Sequence, residues 1–210
     1  MSDEILYLQH RLNSTGLINP ALVEDGIWGL NTKSALDLVI SKLSAVVAPV
    51  SHSVFAQTIA KIANSQVGVK EVGNNSGPQI VQYQTATWLA PGPWPWCAAF
   101  VDWVIQQAMT TCNVSSLKRP QTAGAYDLEN WAIQNPTNVK LFKGTPDLIS
   151  TGDIIVFTFG HCGLAVGDEA AGIFNTVEGN TNNDGGAEGD GVYTKLRKRA
   201  LVRSFIRILV

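Results

Sequence analysis

The regular patterns along this chain change kind near residue 152, and that change restricts the fold more than any other feature. Before it, apolar residues recur at helical spacing; after it, short runs rich in Val, Ile and Phe alternate with Gly, Asn and Asp. The runs Asp153–Phe159, Cys162–Val166, Ile173–Glu178, Val192–Leu196 and Val202–Leu209 predict strands. Upstream, residues 54–67 place Phe55, Ile59, Ile62 and Ala63 on one helical face, and 125–134 predict an amphipathic helix. Residues 97–109 are apolar nearly all round for two turns, as in a helix inside a domain. Val69 to Pro78, rich in Gly and Asn, predicts a loop. Helices first and strands afterwards imply an α+β fold with a mostly antiparallel sheet.

Residues 1–45 form a separate helical module. Ile5, Leu6, Leu8 and Leu12 line one face of a short helix that should stop at Gly16. A second helix is expected over about Thr32 to Leu43, capped by Thr32 and buried through Ala35, Leu36, Val39, Ile40 and Leu43. Residues 46–53 carry Pro49, lack helical periodicity and predict a linker, leaving 54–210 as the larger domain.

A net charge of -2 gives no reason to expect nucleic acid as a partner. The basic run Lys195, Arg197, Lys198 and Arg199 is explained as well by a solvated strand end as by binding. Cys97, Cys112 and Cys162 contain no CxxC, and three thiols cannot all pair within one chain. No secretory signal opens the sequence and no apolar run is long enough to span a membrane. Action outside the cytoplasm would require release by another agent.

Cys97 follows Pro93-Trp94-Pro95-Trp96 and stands where the apolar helix starts. Unpaired N–H groups and the dipole at a helix N-terminus favour an anion, so a thiol there ionises more readily and an oxyanion can be held. The alternative is a small buried hydrophobe. Of the three histidines, His10 lies in the first helix, His52 in the linker, and His161 between two strand signals with Gly160 and Gly163 near it. Either Glu178 or Asn180, at the end of the next strand, can reach the ring nitrogen of His161 facing away from Cys97. A cysteine at a helix start, a histidine at a strand start and a polar residue on the next strand are the papain-like arrangement.

Trp96-Cys97-Ala98-Ala99-Phe100-Val101, Gly152-Asp153-Ile154-Ile155-Val156-Phe157, Gly160-His161-Cys162-Gly163 and Glu178-Gly179-Asn180 resemble the CHAP family of cysteine, histidine-dependent amidohydrolases/peptidases. The resemblance covers about residues 54–210. It implies a papain-like domain with Cys97 as nucleophile, His161 as general base, Glu178 orienting the imidazole and Asn180 assisting. It also implies peptidoglycan as substrate, cut at an amide bond through an acyl-enzyme. Leu8-Gln9-His10-Arg11-Leu12-Asn13, Gly16, Asp25-Gly26-Ile27-Trp28-Gly29, Thr32 and Ala35-Leu36 resemble peptidoglycan-binding domain 1. Trp28 either packs into that module's core, the preferred role, or faces sugar. The two-module layout looks like that of bacteriophage endolysins, made in the host cytoplasm and let through to the wall by a pore-forming protein.

Trp88, Trp94 and Trp96 crowd the approach to Cys97 and serve either as cleft walls or as supports from within, with Trp94 the best wall candidate. No cofactor is implied, a monomer is expected, and neither Lys70–Gly77 nor Asn182–Asp190 has the ligand spacing of a calcium loop. The alternatives are a silent wall-binding protein, a zinc hydrolase using His161 and cysteines, and an antibacterial toxin with the same chemistry. The sequence leaves open whether an amidase or an endopeptidase bond is cut.

Overall fold

The structure, a computed structural model, describes residues 2–46 and 52–210, without the side chains of 43–46. It divides into two compact units, Met1–Ser51 and His52–Val210. Most of the expected linker, residues 47–51, lies outside the described residues.

In the first unit, α1 (Asp3–Ser14) and α2 (Leu30–Val46) pack through Leu12, Ala35 and Val39. Between them the chain is held by Gln9, which is buried. Its amide donates to Asp25 Oδ1 at 2.8 Å, the Ile27 carbonyl at 3.1 Å and Thr32 Oγ1 at 3.0 Å, and accepts from the Asp25 and Gly26 N–H groups. This network corrects the expected cap: α2 begins two residues before Thr32, whose hydroxyl is taken by Gln9 and Ile27 inside the first turn. Ile40, expected to be buried, is 51% exposed because the core seam of α2 runs through Ala35 and Val39 with Leu36 packed beside them; Leu43's side chain is not described.

The second unit is α+β. Its helices are α3 (Val54–Ser65), α4 (Pro78–Gln84), α5 (Cys97–Cys112) and α6 (Asp127–Gln134). Its strands are β1 (Val139–Phe142), β2 (Ile154–Phe157), β3 (Cys162–Ala165), β4 (Ile173–Thr181), β5 (Gly191–Lys198) and β6 (Val202–Ile208). They form one sheet in the order β1-β6-β2-β3-β4-β5, every pairing antiparallel. The five expected strands and three expected helices all form; α4 and β1 were not expected. Both are short, and one or two turns or four residues hold too little periodicity to stand out.

Side chains alternate between sheet faces. Ile154, Val156, Cys162, Leu164, Val177 and Ile206 join the helices in the larger core. Ile155, Phe157, Phe174 and Phe205 belong to a second cluster on the other face. With both faces covered, β2 is buried at all four positions, which explains its unbroken apolar run. α5 is buried at nine positions, from Cys97 to Ala108, so the helix apolar all round is indeed interior. No helix among the described residues is long and apolar enough to cross a membrane.

Two glycines let the layers close. A Cβ on Gly179 would stand 2.7 Å from Phe100 Cβ and from Trp96 Cζ3, so β4 abuts the start of α5 only because that position is bare. A Cβ on Gly163 would meet Glu178 Cγ at 2.5 Å. Gly179→Ala is expected to cost about 1–3 kcal/mol through overpacking, read as a lower midpoint of chemical denaturation of the full chain.

Candidate active site

Cys97 is the first residue of α5. The segment ahead of it is fixed by two anchors, the buried Gln84 and the partly buried Glu71. Gln84 donates to the carbonyls of Gly92 (2.8 Å) and Trp94 (3.2 Å), and Glu71 accepts from the Trp96 indole at 2.7 Å and from the Asn75 N–H at 2.9 Å. The first hydrogen bond of the helix runs from Phe100 N–H to the Trp96 carbonyl, and Trp96 gives no side-chain cap. The first-turn amides around Cys97 therefore remain available to an anion.

His161 is buried at the tip of the β2–β3 hairpin, where Phe157 N–H bonds its carbonyl at 2.9 Å. Its ring lies nearly parallel to those of Phe157 and Phe159, each with its centroid 5.9 Å away. Nε2 lies 3.1 Å from Glu178 Oε2. Nδ1, also buried, has no partner in hydrogen-bond geometry and is the nitrogen left for Cys97. Glu178 is held from three directions, because Thr176 Oγ1 donates to Oε1 at 2.5 Å and Arg197 binds both oxygens, through Nε at 2.8 Å and Nη2 at 2.5 Å. Of the two glycines flanking this site, Gly160 has only the Tyr126 hydroxyl 4.0 Å from its would-be Cβ, and Gly163 is the one that makes room.

These contacts set the charges. The neighbouring Cys162 thiol, followed by His161, draws the Cys97 thiol well below its ordinary range against the opposing effect of burial. Cys162 moves upward, through burial and the Cys97 anion, so it remains a thiol. Burial would depress His161, but Cys97 and Glu178 raise it to about 9. Burial would raise Glu178, but Arg197 and then His161 bring it to about 2. These shifts favour a resting thiolate and imidazolium backed by an ionised carboxylate. The two reactive groups influence each other's protons without an aligned hydrogen bond, a looseness common before substrate binds. A thiolate beside free helix amides and an imidazolium can attack a carbonyl, hold the oxyanion and protonate a leaving amine.

Cys97, His161 and Glu178 are thus brought together, and Glu178 rather than Asn180 holds the ring. Asn180, buried at a φ of 57° in the bulge that follows, has neither amide atom hydrogen-bonded among the described residues. Trp96 is fully buried and offers no face to a substrate, which corrects its expected substrate contact to a support for Glu71. Trp94 is half-buried, its indole on the Ala90 carbonyl at 2.9 Å, and Trp88 is 73% exposed. Trp28 is 51% exposed and outside its module's core, so the preferred core-packing role is corrected. His10 is exposed beside Glu24, and His52 pairs with Asp168 at 3.0 Å. Cys112 ends α5, about 22 Å from Cys97 by helical rise, so the three cysteines cannot share one metal ion.

Two residues escaped sequence analysis. Arg197 is 7% exposed, which corrects its place in a solvated strand end. Asp102, in α5, is buried with both oxygens outside hydrogen-bond geometry, and burial raises it well above the carboxylate range. The apolar Leu196 next to Arg197, 68% exposed in the structure, was the available signal, because alternation along β5 then turns Arg197 inward. Compared with known proteins, the chain matches no family model, and no curated protein matches it.

The titrations predict a measurable pairing. Cys97 should be alkylated by iodoacetamide well below pH 9, as a thiolate, and its imidazolium partner should be lost as pH rises through about 9. In His161→Ala, thiolate formation should move to higher pH by the share that His161 contributes, while the lowering by Cys162 remains. Alkylation rates across pH, with Cys112→Ser as background, check this; coincident profiles would show that no pairing exists.

Proposed function

We propose that the chain is a peptidoglycan hydrolase of the CHAP type, with a papain-like catalytic domain over 54–210 and a peptidoglycan-binding module over 1–45. The observation that carries this is the charge relay of position: Cys97 opens α5, and His161 stands between it and an ionised, buried Glu178. The fold class, the antiparallel sheet and the order of the three residues along the chain support the same conclusion.

The Cys97 thiolate attacks a carbonyl of the wall peptide, forming a C–S bond. The Cys97 backbone N–H faces the developing oxyanion. Collapse breaks the C–N bond, and the proton on His161 Nδ1 leaves with the amine. Water, deprotonated by the now neutral Nδ1, adds to the acyl carbon; the C–S bond then breaks, the product acid leaves and ionises in solvent, and the thiolate–imidazolium pair is restored. Glu178 keeps the ring oriented throughout, and Nε2 keeps its hydrogen.

In the first unit, a cleft of about 770 Å³ is lined in part by Ile18, Pro20, Ile27, Leu30 and Asn31. Together with the exposed Trp28, Ile27 and Leu30, it supports a wall-binding role. Tethering such a module to the cutter raises local concentration at the polymer. The endolysin layout, with synthesis in a host cytoplasm and action on the wall, is part of this proposal, as is a monomeric working form.

Cys97→Ala is expected to abolish clearing of outer-membrane-stripped cells, since loss of a nucleophile costs on the order of a millionfold in rate, while sedimentation with purified wall is retained. Mass spectrometry of the digest identifies the bond cut. Undiminished release of fragments by Cys97→Ala would refute the mechanism, and absence of fragments with active wild type would refute the substrate.

A further inference from the structure

The identification of Cys97 as nucleophile leaves unexplained how so much charge is tolerated away from water. His161 and Glu178 have no exposed surface, and Cys97 and Arg197 are 5% and 7% exposed. In the resting state the four carry two negative and two positive charges. We propose that Arg197 is a positioning residue of the site, the cation that balances the buried set and fixes Glu178 as a pure acceptor toward His161.

The geometry carries this. Arg197 lies on β5 opposite Phe174, on the sheet face that also carries Thr176 and Glu178. Its side chain runs along that face to Glu178, with the guanidinium over the Phe157 and Phe159 rings at 5.0 and 5.5 Å. The Gly185 carbonyl accepts from Nη2 at 3.1 Å. Arg197 and Thr176 fill three acceptor positions of the carboxylate, and the fourth faces His161 Nε2. A carboxylate so occupied has no proton to give. Nε2 must then carry the hydrogen, and Nδ1 is the nitrogen that exchanges a proton with Cys97.

Among the described residues, the only cations paired with Glu178 are Arg197 and His161 itself. Lys195, its neighbour on the same face, turns Nζ to the carbonyls of Asn182 and Asn183. Tyr193, opposite Glu178, gives its hydroxyl hydrogen to Asp190. From the helix side, burial raises both Cys162 and Asp102 well above their ordinary ranges, which disfavours further negative charge beside the site. Without Arg197 the buried set carries one uncompensated negative charge and takes up a proton. Whether that proton settles on Glu178 or on Cys97, the thiolate–imidazolium pair is weakened.

The test reads the Cys97 thiolate in the full chain, by ultraviolet absorbance and iodoacetamide rate against pH, in the Cys112→Ser background. Arg197→Met, which retains packing on the phenylalanines, is expected to raise the midpoint of thiolate formation by a pH unit or more. Arg197→Lys is expected to recover at least half of that shift. A midpoint unmoved in Arg197→Met, or equal shifts in the Met and Lys variants, would overturn the proposal. Should Arg197→Met fail to fold by circular dichroism, Arg197→Gln takes its place under the same criteria. The measurement involves no substrate, so a chain that failed to cut peptidoglycan would still report on Arg197.

Discussion

A carboxylate without exposed surface is the constraint on which the rest of this site depends. Leaving such a group unpaired by removing one partner typically costs about 3–5 kcal/mol, so its neighbours are dictated by electrostatics. Glu178 is satisfied by one guanidinium, one hydroxyl and one imidazole, with no acceptor position left over. Each partner comes from a different strand or a different place on a strand, so the register of β3, β4 and β5 is also the wiring of the site. The bare Cα of Gly163 gives Glu178 its space, and the rings of Phe157 and Phe159 lie against both His161 and Arg197.

The site draws on both faces of the sheet. Cys97 belongs to the helix-side core, as does Cys162, whereas Thr176, Glu178 and Arg197 follow the alternation of the opposite face. His161, just ahead of β3, joins the two. This works only because β4 and α5 touch at Gly179, bringing the start of a helix to the end of a strand. The loop before Cys97 is equally fixed: Gln84 and Glu71 spend their polar atoms on holding it. A reactive group on a helix end, supported by anchored loops, is held more firmly than one on a free loop.

Much of this was legible in the sequence because it rests on local rules. Prolines ahead of an apolar run mark where α5 starts, and five β-branched runs give five of the six strands. The residues that were hard to read act at a distance. Arg197 sits in a basic run that resembles a solvated strand end, and only the sheet reveals that Arg197 points inward while Leu196 points out. Gln9 looks like a surface position on α1 until the turn over 25–27 folds back onto it. Trp96 has the composition of a cleft wall, yet its ring is buried and its indole N–H is committed to Glu71. In each case the deciding partner lies far along the chain, where neither periodicity nor propensity carries information.

The central claim is that Cys97 sulfur meets His161 Nδ1. A bifunctional alkylating agent tests this directly. 1,3-Dibromoacetone reacts first with the thiolate and then with any nucleophile within reach of its second arm. Peptide mapping by mass spectrometry should find Cys97 joined to His161 through a single acetone bridge. Cys97 carrying a hydrolysed, unjoined adduct, or a bridge to any residue other than His161, would contradict the account.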